Sequence, residues 1–145
     1  KQCRGNIETR IKKFNKGGFD ALILAEAGLN RLNIDYKNKI PIEVIPPAAG
    51  QGVIALQCAI NLDKIIADRI YSLVNDEKTF FEILAERSLV RHLGGNCQSP
   101  ISSNASLDKS GNIILEAAVG ALNGSFILVD RIYGKKKTLK ILVKS

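Results

Sequence analysis

The spacing of hydrophobic residues indicates an α/β arrangement at the start of this 145-residue chain. Apolar residues at positions 7, 11 and 14 recur at helical spacing behind Asn6, a typical N-cap, and predict a helix that stops at Gly17-Gly18. The run FDALILA (19–25) is continuously apolar, as in a strand buried on both faces. EAGLNRLN (26–33) then reads as a short helix, so the order is helix, strand, helix.

The pattern changes at Pro46–Gly52, where prolines, alanines and glycines predict a hinge or crossover between structural units. GVIALQC (52–58) follows and reads as a second buried strand. Two helices are predicted next, near residues 63–75 and 76–93, and the second is stopped by Gly94-Gly95.

Alternation replaces helical spacing after residue 100. ISSNASL (101–107), NIILEAAVG (112–120) and SFILVDRIYG (125–134) read as strands separated by the turn sequences DKSGN and LNG. A small antiparallel meander with one covered face is therefore predicted.

Composition narrows the classes of protein. Apolar residues make up 46% and charged residues 24%, as in soluble globular proteins. No apolar run approaches the roughly 20 residues of a membrane span, and the first residues, KQCRGNIETR, lack a secretory signal, so no membrane partner is expected. Three cysteines without C-x-x-C spacing argue against a disulfide framework and a zinc site, and favour a reducing compartment, the cytoplasm.

Charge and thiol placement supply the candidate chemistry. The net charge of +7 predicts anionic partners, and Arg4, Arg10 and Arg31 lie where helix starts and strand ends would form an anion pocket. Cys97 lies in an exposed turn between two glycines and a proline, which leaves open an accident of the loop or a thiol with a chemical role. Arg87, one turn before Arg91 on the preceding helix, would make that sulfur more nucleophilic.

Other reactive groups give weaker signals. His92 is interpreted as a packing or solvent-facing residue, and the sequence contains no metal-ligand cluster and no phosphate-binding loop motif. The 14 carboxylates are scattered, so no general acid or base stands out.

Five segments together resemble the porphobilinogen deaminase (hydroxymethylbilane synthase) family. They are RGNIETR (4–10), FDALILAEAGLNRL (19–32), PAAGQG (47–52), AERSLVRHLGGNCQSPI (85–101) and the strands that follow. The combination of R-G-N-x-x-T-R with a downstream G-x-C-x-x-P-[IV] is specific, whereas each piece alone is weak.

The resemblance implies a transferase of tetrapyrrole and heme biosynthesis that joins four porphobilinogen units with loss of ammonia and releases hydroxymethylbilane. It implies that Cys97 holds a dipyrromethane cofactor through a thioether and primes the growing chain. Arg4, Arg10 and Arg31 would bind cofactor carboxylates. The substrate and the growing polypyrrole would be held by Arg10, Arg31, Arg87 and Gln51.

The resemblance also implies a fold and an extent. The family is about twice as long, so the chain is expected to be a fragment without the half that holds the catalytic aspartate. No catalytic residue is therefore expected here, and the chain alone is expected to be inactive. The expected fold is part of a periplasmic-binding-protein-like α/β domain with a crossover, followed by a small α+β domain with a three-stranded antiparallel sheet.

The expected domain boundaries follow the same resemblance. They are 1–48 for the end of the second α/β domain, 49–75 for a hinge and crossover strand and helix that would complete the first domain, 76–96 for a connecting helix, and 97–145 for the C-terminal domain. The family is usually monomeric, whereas this piece is expected to self-associate through the unpaired strand 52–58.

Two other classes remain as alternatives. The charge suggests a non-catalytic anion- or nucleic-acid-binding basic module, but the chain has no Trp and only 6% aromatic residues for base stacking, so no nucleic-acid partner is expected. A non-catalytic ligand-binding fragment of periplasmic-binding type would suit the sheet and the arginines, yet would leave Cys97 without a role.

Overall fold

The computed structural model describes residues 2–96 and 98–135. They form two units that divide between Pro41 and Ile42. Cys97, for which the family resemblance implies a covalently bound cofactor, lies outside the described residues.

The first unit contains two short helices. Helix α1 spans Ile7–Lys13 and continues into a π-helical turn, Phe14–Gly18, that ends where Gly17 adopts a φ of 76°. Helix α2 spans Glu26–Arg31. The two helices lie close together at Gly28, where a Cβ would collide with Ile7.

The second unit begins with two capped helices. Helix α3 spans Lys64–Val74 and is capped by Asp63, and helix α4 spans Glu77–His92. Asp76 caps α4 by accepting a 2.7 Å hydrogen bond from the Thr79 amide.

Helix α4 ends in a Schellman motif, as the two glycines predict. Gly94 has a φ of 64° and donates to the Arg91 carbonyl, and Gly95 donates to the Val90 carbonyl at 2.9 Å. A Cβ at Gly95 would lie 2.6 Å from Ile101, so this glycine also allows the helix end to approach the first strand.

A three-stranded antiparallel sheet in the order β1-β2-β3 follows and confirms the predicted meander. The strands are β1 (Ile101–Leu107), β2 (Asn112–Gly120) and β3 (Ile127–Lys135). Their register places Ala105 opposite Leu115. Helix α4 packs on β1 and β2 around a core that consists of Phe81, Ala85, Ala105, Ile113 and Leu115, whereas β3 is exposed at every position, so the predicted covered face does not extend to it.

The two buried strands predicted at 19–25 and 52–58 are not present in the structure, which assigns neither segment to a strand. A strand requires a hydrogen-bonded neighbour, and no segment within residues 2–96 and 98–135 pairs with either one. Consequently Ile54 and Leu56 stay 90% and 65% exposed. The described fold is a mixture of helices and an antiparallel sheet, consistent with the α/β class.

No helix in the described part of the chain has the length and apolar character needed to cross a bilayer.

Candidate functional site

The R-G-N-x-x-T-R segment forms a tight turn in front of α1. Gly5 has a φ of 124°, and a Cβ there would lie 2.9 Å from a methyl carbon of Thr9. Asn6 accepts a 2.8 Å hydrogen bond from the Thr9 amide. Glycine and asparagine therefore each have a local structural reason to be at these positions, whereas Thr9 contributes its backbone amide and limits the space beside Gly5.

Two basic side chains of α1 hold this turn in place. The Nε of Arg10 donates to the Gly5 carbonyl at 2.7 Å, and the Nζ of Lys13 donates to the Arg4 carbonyl at 2.9 Å. Arg10 is half-buried. Because its Nε is engaged by the backbone, the guanidinium plane is oriented while its two Nη groups stay available for a carboxylate.

The other two predicted arginines of this unit are exposed. The Nε of Arg4 lies 3.3 Å from the side-chain oxygen of Gln2, and Arg31 is the last residue of α2. None of the three arginines forms an ion pair with a carboxylate within residues 2–96 and 98–135. Ile7 of α1 contacts α2 at Gly28. Arg10 lies three residues after Ile7 and Arg31 three residues after Gly28, so this packing brings the two helices that carry these arginines together.

A shallow depression of about 340 Å³ lies beside the same turn. Its lining consists of Gln2, Cys3, Lys13, Lys16, Gly18 and Phe19. Two ammonium groups at its wall add to the positive charge around Arg4 and Arg10.

An acidic residue that the sequence analysis missed holds the chain after α2. Glu26 accepts a hydrogen bond from the Tyr36 hydroxyl and forms a 2.8 Å ion pair with Lys39. The Lys39 ammonium, and after it the Tyr36 hydroxyl, hold the pKa of Glu26 below its ordinary value. The hydrogen bond from Tyr36 and the ion pair with Lys39 give Glu26 a structural role in this unit.

In the second unit, three hydrogen bonds shape the residues that flank position 97. Asn96 accepts from the Gln98 amide through its side chain at 2.8 Å and from the Ser99 amide through its carbonyl at 3.0 Å. The Ser99 hydroxyl in turn accepts from the Asn96 amide at 2.9 Å. Asn96 has a structural role that turn chemistry could have suggested, because asparagine favours such turns.

The structure also shows the environments of the two other thiols and of the candidate residues on α4. Cys3 is half-buried and Cys58 is exposed, and both are free thiols. Arg87 is exposed on α4. His92 is exposed, in agreement with its interpretation as a packing or solvent-facing residue, and its Nδ1 lies 2.7 Å from the Ser88 carbonyl.

Gln51 is fixed by its own turn. Its side-chain oxygen accepts from the Ala48 amide at 3.1 Å, while the preceding Gly50 has a φ of 77° and would place a Cβ 2.8 Å from Ile83 of α4. Gly50 also donates its amide to the Glu86 carboxylate at 2.8 Å. Glu86 is buried, and no spacing or motif in the sequence singles it out.

The described residues contain no group of three or more histidines, cysteines or carboxylates that could hold a metal ion.

Comparison with known proteins matches both parts of the chain to one family. Residues 1–67 match the family domain described as "Porphobilinogen deaminase, dipyromethane cofactor binding domain", and residues 80–145 match "Porphobilinogen deaminase, C-terminal domain". The alternative of a basic nucleic-acid-binding or anion-binding module has no support from these matches.

Curated relatives agree with the family matches. A porphobilinogen deaminase of Nitratiruptor sp. is 38% identical over 148 residues, which cover 99% of this chain and 46% of the relative. That of Chlorobium phaeobacteroides is 43% identical over 94% of this chain and 43% of its own length. That of Helicobacter hepaticus is 40% identical over 89% of this chain and 40% of its own length. The chain therefore spans less than half the length of these relatives.

Proposed function

Because the chain belongs to the porphobilinogen deaminase family, we propose that it is part of a hydroxymethylbilane synthase. The complete enzyme would join four porphobilinogen units head to tail with loss of ammonia and release a linear tetrapyrrole. The observation that carries this proposal is the geometry of Arg10, whose Nε is bonded to Gly5 while its Nη groups face no carboxylate of the described residues.

The chemistry of the ligands suits this arrangement. Each pyrrole of the substrate and of a dipyrromethane carries acetate and propionate groups, and an arginine binds a carboxylate through two parallel hydrogen bonds. Arg4, Arg10 and Arg31 would bind cofactor carboxylates, and Arg10 and Arg31 would also bind those of the substrate. Lys13 holds the Arg4 carbonyl and so keeps the turn from shifting when a ligand binds.

Arg87 and Gln51 would complete substrate binding from the second unit. Arg87 is exposed on α4, the helix that precedes residue 97, and the Gln51 side chain retains its amide nitrogen as a donor after its oxygen caps the turn at Ala48. Both assignments come from the match of their motifs to the family and from these positions.

We assign Cys97 as the attachment point of a dipyrromethane, which when bound supplies the primer for chain growth. Cys97 follows the Schellman end of α4 and precedes β1, between residues that hydrogen bonds hold in a turn. The hydrogen bonds among Asn96, Gln98 and Ser99 would give the residues on either side of the attachment point a defined turn.

Peptide mapping tests this assignment. In holo-protein made from a full-length gene that contains this chain, the adduct is expected on Cys97 and absent after Cys97→Ser. The matched controls are Cys3→Ser and Cys58→Ser, which remove the two other thiols and should leave the adduct in place. An adduct on either of those thiols, with Cys97 free, would contradict the assignment.

Activity is tested in the same full-length protein by following tetrapyrrole formation from porphobilinogen. The 145-residue chain alone should form none, because joining pyrroles needs a carboxylate that stabilises cationic pyrrole nitrogens, and the family resemblance assigns that aspartate to the part of its relatives that this chain does not span. Full-length protein without turnover would contradict the proposed function.

The finer architecture is also a proposal. Residues 1–48 would belong to a second, periplasmic-binding-protein-like α/β domain, and residues 49–75 would complete a first one. The exposed apolar segment 53–60 supports this, since it has the composition of a central strand and lacks a partner within the described residues. Residues 76–96 and 97–145 would be the connecting helix and the C-terminal domain.

The setting follows from the same chemistry. Free thiols at Cys3 and Cys58 favour a reducing compartment, so we propose that the enzyme works in the cytoplasm, without nucleic acid or membrane as a partner. The complete enzyme would be a monomer, whereas the present chain would self-associate.

A further inference from the structure

The free edge of β1 is covered by groups from outside the sheet. Strand β1 pairs with β2 on one side only, and its alternate amides point to the other side. These amides donate to the Pro47 carbonyl from Ser103 (3.1 Å), to Glu86 from Ala105 (2.9 Å) and to Glu82 from Leu107 (2.8 Å). Helix α4 and residues 46–52, called the 46–52 segment below, therefore supply hydrogen-bond acceptors to this edge. Without them the edge would be available for pairing with another strand.

Glu86 differs from Glu82 in what it connects. One Glu86 oxygen accepts from Ala105 of β1, and the other accepts from Gly50 of the 46–52 segment. Glu86 is only 8% exposed. Glu82 also accepts from β1 but makes its second contact with Lys78 of its own helix, at 3.8 Å.

The burial of the Glu86 carboxylate favours a fixed contact with its two amide donors. A buried carboxylate requires hydrogen bonds to compensate for lost hydration, and here the two amides supply one to each oxygen. The 46–52 segment is held at two further points, the Pro47 carbonyl on Ser103 and the close packing of Gly50 on Ile83. The positive φ of Gly50 directs its amide toward the helix and requires a glycine at this position.

We infer that Glu86 is a positioning residue that holds the 46–52 segment, with Gln51, against the helix and strand that flank residue 97. Helix α4 ends five residues before position 97 and β1 begins four residues after it, and Glu86 bonds to both the strand and the segment. The consequence for catalysis rests on the proposed function: Gln51 would keep a constant position relative to the elements that carry the cofactor loop.

Amide hydrogen exchange in the 145-residue chain tests the contact itself. In the wild type, the Gly50 amide is expected to exchange slowly, like that of Ala105. In Glu86→Ala its exchange should become ~10- to 100-fold faster, the factor expected when a hydrogen bond to a charged acceptor is lost. Glu82→Ala is the matched control, since it removes one β1 contact from the same helix and leaves Gly50 bonded.

Glu86→Gln provides a second variant if the alanine variant does not fold. A glutamine retains one acceptor oxygen and presents an NH₂ group to the other amide, so one of the two bonds is still lost. Gly50 exchange that is equal in Glu86→Ala and Glu82→Ala would overturn the inference, as would unchanged exchange of both the Gly50 and the Ala105 amides in Glu86→Gln. A wild-type Gly50 amide that exchanges as fast as an unstructured loop would overturn it without any variant.

Turnover in the full-length protein separates the inference from the proposed function. Porphobilinogen consumption per cofactor-loaded molecule should fall in Glu86→Gln and stay unchanged in Glu82→Gln. Faster Gly50 exchange with unchanged turnover would leave Glu86 a structural residue only and overturn its positioning role. A wild-type protein without turnover would overturn the proposed function, while the exchange data would still decide whether Glu86 holds the segment.

Discussion

At the scale of single residues, the turn formed by residues 4–10 shows how a short motif can stabilise its own backbone and orient an arginine side chain. Gly5 and Asn6 shape the backbone of the turn, and the Nη groups of Arg10 form no ion pair with a carboxylate of the described residues. Arg10 does both tasks, because its Nε supports the Gly5 carbonyl and its Nη groups remain available. Gly5, Asn6 and Arg10 of the motif are therefore each constrained by a different local contact.

Arg10→Lys should be poorly tolerated in the full-length protein. A lysine has one ammonium group, which can satisfy the Gly5 carbonyl or a ligand carboxylate but cannot bind a carboxylate in the bidentate way of a guanidinium. The loss should be about 1.5–3 kcal/mol of ligand binding, measured as reduced turnover and reduced cofactor content by intact mass. The neighbouring exposed Lys12→Gln is the control and should change neither. Unchanged turnover and cofactor content in Arg10→Lys would reduce this arginine to a surface charge.

At the scale of elements, helix α4 organises the second unit. Its N-terminus is capped by Asp76, its C-terminus closes in a Schellman motif, and its inner face packs on β1 and β2. Its glutamates extend that packing into hydrogen bonds along the edge of β1. The helix thus connects hydrophobic packing with backbone hydrogen bonding.

The cap of α4 should make stability depend on pH in acid. The Thr79 amide, followed by its hydroxyl, lowers the pKa of Asp76 in the folded state. The carboxylate therefore stabilises the fold above its unfolded-state pKa, and this contribution is lost as the pH falls through the lower folded-state pKa. Asp76→Ala should lower the denaturation midpoint at neutral pH and make a smaller difference in acid.

Asp76→Asn is the matched control for this prediction. Asparagine also caps helices but does not titrate, so the difference between wild type and this variant should decrease steadily with acidification. Chemical denaturation monitored by circular dichroism at several pH values measures both variants. A difference between wild type and Asp76→Ala that is constant over the acid range would contradict the role of the charged cap.

At the scale of the whole molecule, the distribution of apolar surface is uneven. The core between α4 and the sheet is buried, whereas residues 53–60 carry isoleucine, valine and leucine side chains in solvent without strand pairing among the described residues. An exposed apolar segment of this kind favours association with another chain. The exposed apolar residues of the described chain therefore include those of segment 53–60 as well as those of strand β3, in contrast to the buried core between α4, β1 and β2.

Ile54→Lys should reduce self-association of the 145-residue chain without lowering its stability, since this side chain is 90% exposed and buries little surface. Size-exclusion chromatography with light scattering measures the oligomer distribution. The control is Leu122→Lys, which replaces an equally exposed residue (89%) in the turn between β2 and β3. Equal oligomer content in wild type and Ile54→Lys, or an equal reduction by the control, would contradict the role of the segment.

The sequence by itself determined the features that depend on neighbouring residues. The cap at Asn6, the stop at Gly94-Gly95 and the presence of the three strands were all predicted, because each involves residues only a few positions apart. The arginines and Cys97 were likewise selected from residue type, spacing and resemblance, and their roles stay predictions.

Only the tertiary structure decided which distant groups meet. Glu86 accepts hydrogen bonds from amides 36 and 19 residues away. The hydrophobic periodicity around α4 does not indicate either partner. The prediction of strands at 19–25 and 52–58 is wrong because it also depended on residues that are distant in sequence. Their composition suits a buried strand, but a strand exists only when another segment supplies hydrogen-bond partners, and that condition is set by the three-dimensional arrangement of the chain.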